Sequence, residues 1–370
     1  MQYYLKNYKV TIHALSPIHI GSGEKIVKKE YIYLPRKRKV IVPDINIMYG
    51  DLRQKRLDRE FESFMMRNGN IPISKWLADK GFNEKDFERW KKYEMDTGEA
   101  FLNSNPKEIE CFVKDAYGIP YVPGSSIKGM FRTAIIAMEL TNNHIKASRI
   151  KAELMNGTEK HLSRNTYLLG ETRNMESEVL NILERDVKSK QNAVNDCLSG
   201  LIVGDSQPID IRNLTLSQKI DYTLDGQEKP LPILRESLIP DTDINFEVTI
   251  DKRVCPYDIT DICSALNAFA DISNNRFYKK FHREITDDNA VFLGGGCGFL
   301  SKTIIYNLFD KDAVYVADKI FKSTLGKKQY DIHKHRRDIS LGVAPHVCKC
   351  TRYGGRLYNM GIGKIEVTST

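Results

Sequence analysis

Asp115-Ala-Tyr-Gly-Ile-Pro-Tyr-Val-Pro-Gly-Ser-Ser-Ile-Lys-Gly-Met-Phe-Arg-Thr133 is a run in which a strand ends, a turn forms and a helix begins. Pro123 and Gly124 set the turn, and Ser125 or Ser126 is expected to cap the helix. Ile127, Met130, Phe131, Ala134, Ile135 and Met138 recur at helical spacing and form a buried stripe. The free amides of such a helix start carry positive partial charge and suit phosphate oxygens, with Lys128 and Arg132 one turn apart adding charge. A capped core helix with two surface cations has the same pattern, and the pattern alone favours that plainer reading. Gly124 to Gly129 also mimics half of a P-loop. However, Met130 and Phe131 stand where the phosphate-binding lysine and the magnesium-binding hydroxyl are needed, which argues against nucleotide hydrolysis.

Upstream, residues 8–15 alternate, with Val10, Ile12 and Ala14 on one face and Lys9, Thr11 and His13 on the other, as a half-buried strand does. That strand leads into Leu15-Ser-Pro-Ile-His-Ile-Gly-Ser-Gly23, a turn rich in residues that leave backbone N–H groups free. Residues 30–34 and 39–42 form a hairpin around Arg36-Lys-Arg-Lys39, and Asp51 is expected to cap a helix bearing Leu57, Phe61, Phe64 and Met65. Short helical pieces after Ser74 and Asn83 continue to about residue 103. Downstream, Gly200–Asp205 and residues 244–250 are strands. Helices are expected at about 258–282 and at about 312–325, the second ending before Gly326, and a short strand closes the chain after Gly363. Strands and helices mix without strict alternation, so the fold class is α+β. The polar stretches at 51–103 and 140–197 are insertions, and the chain divides into parts 1–245 and 246–370.

The chain has 370 residues, 41% of them hydrophobic, enough for a substantial core. No apolar run approaches the ~20 residues that cross a bilayer. The N-terminus has no apolar signal region, and seven cysteines without framework spacing fit reduced thiols, so a cytoplasmic protein is expected. The net charge of +8 is unevenly spread. Residues 1–40 and 319–352 each hold nine Lys/Arg against two carboxylates, and the rest of the chain is net acidic. Two basic segments of this kind suggest a polyanion surface if the fold joins them, and solvated loops if it does not.

The chain lacks His-Glu-x-x-His, Gly-x-Ser-x-Gly and paired Cys-x-x-Cys motifs. Gly294-Gly-Gly-Cys-Gly298 follows the apolar strand Ala290–Leu293, and Gly294, Gly295, Gly296 and Gly298 permit either close approach to a ligand or a flexible connection. His333, His335, His346, Cys348 and Cys350 share a short window. The flanking Arg336, Arg337, Lys349 and Arg352 favour phosphates over a metal cation there, so no metal or other cofactor is expected.

The turn 15–23, the 115–133 block, Val203-Gly-Asp-Ser206 and the glycine-rich Leu293–Phe299 resemble the RAMP superfamily of CRISPR-associated proteins. The ending His335…Pro345-x-x-x-Lys349-x-Thr351…Gly361-x-Gly-Lys-Ile365 is most similar to the family of the fifth Csm subunit of type III-A effector complexes. The resemblance implies an RRM-like (ferredoxin-like) core with a thumb hairpin, helical insertions and a related C-terminal half. It further implies binding of the 3′ part of the CRISPR RNA at the end of a filament. The partners would be the repeated backbone subunit, the small helical subunit and host nucleases that trim the guide. By matching motif, RNA contacts would fall on His19, Gly21, Ser22, Gly23, Ser125, Ser126, Lys128, Arg132 and the 294–298 loop, while Arg336, Arg337 and Arg352 are added on charge. No aromatic RNP1-type motif is present, so phosphate and shape recognition is expected.

The repeated backbone subunit of such complexes is a metal-dependent ribonuclease using an Asp after its first glycine-rich turn. Here that loop reads Glu24-Lys-Ile-Val-Lys-Lys-Glu30, which contains no Asp. The expected role is therefore that of a non-catalytic RNA-binding cap. The alternative is a metal-independent ribonuclease using His13, His19 or Tyr33. A scaffold held mainly through its two insertions is a third reading.

Overall fold

In the computed structural model, which describes residues 4–67, 69, 71–101, 108–160 and 163–369, the alternating N-terminal segment is the strand Leu5–Ala14. It is the middle of a five-stranded antiparallel sheet ordered Ala290–Phe292, Ile362–Ser369, Leu5–Ala14, Asp243–Asp251, Leu201–Val203. Val10 lies opposite Phe246 and Ile12 opposite both Ile244 and Ile365, so one face is continuously apolar. The buried stripes of helices Gly124–Asn142 and Ile259–Arg276 join the core on that face. Asp258 and Asp261 form a capping box at the second helix, a device worth roughly 1 kcal/mol. The opposite face of the sheet is polar. There Thr11 donates to Asn245 at 2.8 Å, and His13 sits between Asp243 and Glu366 at 2.5 and 3.2 Å.

A second sheet runs from Gly21–Ile26 through Ile109–Phe112, Glu228–Leu238, Leu214–Thr223, Lys91–Asp96 and Lys39–Pro43 to Ile32–Leu34. The far half of Leu214–Thr223 instead pairs with Val347–Tyr353, which forms a hairpin with Arg356–Asn359. The expected division at 245/246 falls inside the strand Asp243–Asp251. Leu5–Ala14, of the first part, pairs with Ile362–Ser369 of the second, so the two parts share one sheet and one core. The class is α+β, as expected.

The first insertion carries helices Ile45–Gln54, Asp58–Met66, Ile73–Asp79 and Glu84–Trp90 around their own core of Met48, Leu52, Phe61, Phe64, Leu77 and Trp90. Its expected end at 102–103 lies outside the described residues. Asp51 does not cap a helix. It lies within the first of these helices, where its carboxylate accepts from Arg89 and the Trp90 indole, and Asp44 is the cap. The second insertion holds His144–Thr158 and Leu169–Leu180. The helix that begins at Ala313 ends before Gly326, as expected: Gly326 is non-helical (φ 71°, ψ 157°), and a second helical stretch runs on to Ile332.

Candidate nucleic-acid interface

Three of the motif segments meet at one cleft of about 630 Å3. One wall is the turn after the first strand. Gly21–Ile26 pairs with Ile109–Phe112, but its register slips between Gly21 and Lys25, so Ser22, Gly23 and Glu24 bulge outward. Gly23 occupies φ 87°, a backbone region that glycine enters without strain. The second wall is the first half of the helix Gly124–Asn142, presenting Ser126, Gly129, Met130 and Thr133. The third is the loop after Ala290–Phe292, where the Gly295 N–H donates to the His19 carbonyl at 2.7 Å.

His19 is buried, and burial holds its pKa below the ordinary value, so it is neutral at pH 7. Its Nδ1–H donates to the Glu236 carbonyl at 2.6 Å, which leaves Nε2 as an acceptor beside Gly21. A neutral acceptor suits a hydroxyl or a base N–H and not a phosphate. The cations of the cleft are Lys25, Arg235 and Lys302, against Glu24 and Glu110. Arg235 Nε binds Glu110 at 2.7 Å and Lys25 reaches Glu108 at 3.3 Å. Lys302 is exposed and forms no ion pair among the described residues. Sequence reasoning missed Arg235 and Lys302. Arg235 is one polar residue in the strand Glu228–Leu238, and only the pairing of that strand with Ile109–Phe112 brings it to the cleft.

The remaining expected residues are distributed as follows. Neither Ser125 nor Ser126 caps the helix. Asp205 takes that role from across the chain, accepting from Gly124 N at 2.7 Å, and so occupies with a carboxylate the amide that a phosphate would use. Ser125 and Ser22 are exposed beside the cleft, and Ser22 Oγ accepts from Glu24 N. Lys128 faces away, donating to the Leu201 carbonyl at 2.7 Å. Arg132 is clamped by Glu176 at 2.7 Å and Asp196 at 2.5 Å. Gly296 and Gly298 lie farther along the loop, against Met360 and the Lys349 stem. Arg352 is bound by both oxygens of Glu228, Arg336 pairs with Asp331, and Arg337 is exposed. His13 lies on the polar sheet face and Tyr33 packs on Phe101, both away from the cleft lining.

The end of the first basic segment lies beside the turn that follows the second. Arg38 and Lys39 share a second cleft of about 780 Å3 with Arg212, Tyr353, Gly354 and Gly355. No helix among the described residues is long and apolar enough to cross a membrane.

The chain belongs to the RAMP superfamily, whose family model matches residues 11–301, and within it to the Csm5 family. It is 31% identical over 312 residues to the CRISPR system Cms protein Csm5 of Streptococcus thermophilus, covering 81% of this chain and 80% of that one. It is 28% identical over 394 residues to the Csm5 of Mycobacterium tuberculosis (strain H37Rv), covering 99% of each. Among solved structures it resembles a chain of the cryo-EM structure of a Csm–crRNA–target RNA ternary complex of a type III-A CRISPR-Cas system. That match has a TM-score of 0.67 at 20% identity and covers 97% of this chain and 100% of that one. The crystal structure of T. onnurineus Csm5 matches with a TM-score of 0.61 at 20% identity, covering 96% of this chain and 99% of that one.

Proposed function

We propose that this chain is the non-catalytic RNA-binding subunit that caps the backbone filament of a type III-A complex, holding the 3′ part of the CRISPR RNA. Its partners are the repeated backbone subunit, the small helical subunit and host nucleases that trim the guide, and its role is guide maturation and antiviral defence. The observation that carries this reading is the convergence of the 19–25 bulge, the start of the helix Gly124–Asn142 and the 294–295 loop on one groove. Lys302 faces RNA there, and the His19 acceptor suits a 2′-hydroxyl.

In chain order, Leu5–Ala14, Gly124–Asn142, Leu201–Val203, Asp243–Asp251, Ile259–Arg276 and Ile362–Ser369 follow a strand-helix-strand-strand-helix-strand pattern, and all neighbouring strands are antiparallel. That order supports a ferredoxin-like core, in which parts 1–245 and 246–370 act as one RNA-binding body. Glu30, the carboxylate nearest to where a metal-binding Asp would stand, accepts from Val27 N at 2.8 Å and closes its own turn, which supports a structural role.

The test is binding and cleavage of labelled CRISPR RNA across salt, with and without magnesium or manganese. Salt-sensitive binding of intact RNA, stronger for the 3′ segment than the 5′ segment, is the expected result. Metal-dependent products lost in Glu30→Ala, or metal-free products lost in His19→Ala, would make the chain a ribonuclease instead.

A further inference from the structure

The geometry points to a divalent transition-metal site built by His335, Asp338 and His346, with zinc as the best match to its donor set. Two imidazole nitrogens and a carboxylate come together here, their ligating atoms within 4.8 Å of one another, the one such group among the described residues. His335 lies in the 3-10 turn His335–Arg337, Asp338 begins the short helix Asp338–Leu341, and His346 precedes the strand Val347–Tyr353. His335 Nδ1 lies 2.8 Å from one Asp338 oxygen, and His346 Nδ1 is hydrogen-bonded to the other.

The Asp338 carboxylate is fully buried, and no Lys or Arg pairs with it among the described residues. A buried carboxylate needs compensation, and among the described residues the groups at its oxygens are the two imidazoles. A divalent ion that replaces the two Nδ1 protons supplies that charge and retains all three donors. Two histidines and one carboxylate are a recurring ligand set for zinc, with a fourth position left for water. His346 is the more exposed of the two imidazoles, at 19% against 10% for His335. Phe321, at 4.6 Å between ring centres, packs on His335 and shelters the other side.

Cysteines 348 and 350, the softer donors of the same window, lie apart. Their sulfurs approach Asn359 at 3.8 and 3.7 Å. An ion at this site would tie the basic turn carrying Arg336 and Arg337 to the strand that pairs with Leu214–Thr223.

Metal content is measured on the full chain, expressed with added zinc and purified without chelator or metal-affinity resin. About one zinc per chain is expected, with tetrahedral-type visible absorption after cobalt substitution. Chelation should lower the melting temperature by several degrees, and zinc should restore it. Asp338→Asn and His346→Gln should lose the metal, while His333→Gln should keep it. Wild-type protein with less than about a tenth of an equivalent, and no thermal response to zinc, overturns the site. So does metal that persists in folded Asp338→Asn. Both wild-type readouts stand even if a variant fails to fold, and neither depends on RNA.

Discussion

The Gly295 N–H donates to the His19 carbonyl at 2.7 Å, and this bridge joins the turn after the first strand to the loop after Ala290–Phe292. The bond requires close backbone approach. Gly294 sits at φ 82°, and a Cβ there would collide with the His19 carbonyl oxygen. Gly294 is therefore required by the fold itself.

This separates two neighbouring substitutions. Gly294→Ala should cost about 2 kcal/mol or more, because strain and collision act together. Gly295→Ala places its Cβ 3.3 Å from the His19 ring, a tight contact without a positive φ, and should cost less stability than Gly294→Ala while weakening RNA binding. Urea denaturation and a filter-binding titration measure the two effects.

Arg132 and Lys302 should behave oppositely. Arg132→Gln breaks contacts to Glu176 and Asp196 at a part-buried site, and about 1–2 kcal/mol of stability should be lost with the salt dependence of RNA binding unchanged. Lys302→Gln should leave stability within about 0.5 kcal/mol. It should also lower the slope of log affinity against log salt by about one. Equal salt slopes for wild type and Lys302→Gln would remove Lys302 from the interface.

His13 predicts a pH effect. Burial lowers its pKa, but hydrogen bonds to Asp243 and Glu366 outweigh burial and hold it above the ordinary 6.5. A raised pKa means that the folded state binds the proton more tightly than the unfolded chain. The stabilisation is therefore complete below 6.5 and lost as pH rises through the folded value. His13→Asn should destabilise the protein more at about pH 5.5 than at about pH 8.5, by a small amount because the side chain is part-exposed. A pH-independent difference would show that the pair is not formed.

Thiol chemistry gives a fourth check. All seven cysteines are free, and six are buried. Burial pushes the Cys111 thiol, beside the cleft, up to about 12. Alkylation at mildly alkaline pH should modify few thiols in the native chain and all seven after denaturation.

What the sequence alone determined follows from local periodicity and turn chemistry. The alternation of residues 8–14, the stripe from Ile127 to Met138, and the apolar spacing of the helix Ile259–Arg276 are set by neighbours a few positions away. So are the glycine-rich turn and loop, since few other sequences allow such close backbone approach. Tertiary structure decided which charges remain free. Lys128 and Arg132 look like phosphate ligands in a linear motif, but Leu201, Glu176 and Asp196 reach them from distant segments. Arg235 and Lys302, unremarkable in sequence, are carried to the groove by strand pairing and by the bridge to His19. A helix cap predicted at Ser125 or Ser126 went to Asp205 for the same reason. The partner of a buried or half-buried polar group is whatever the fold delivers to it, and that depends on contacts far apart in sequence.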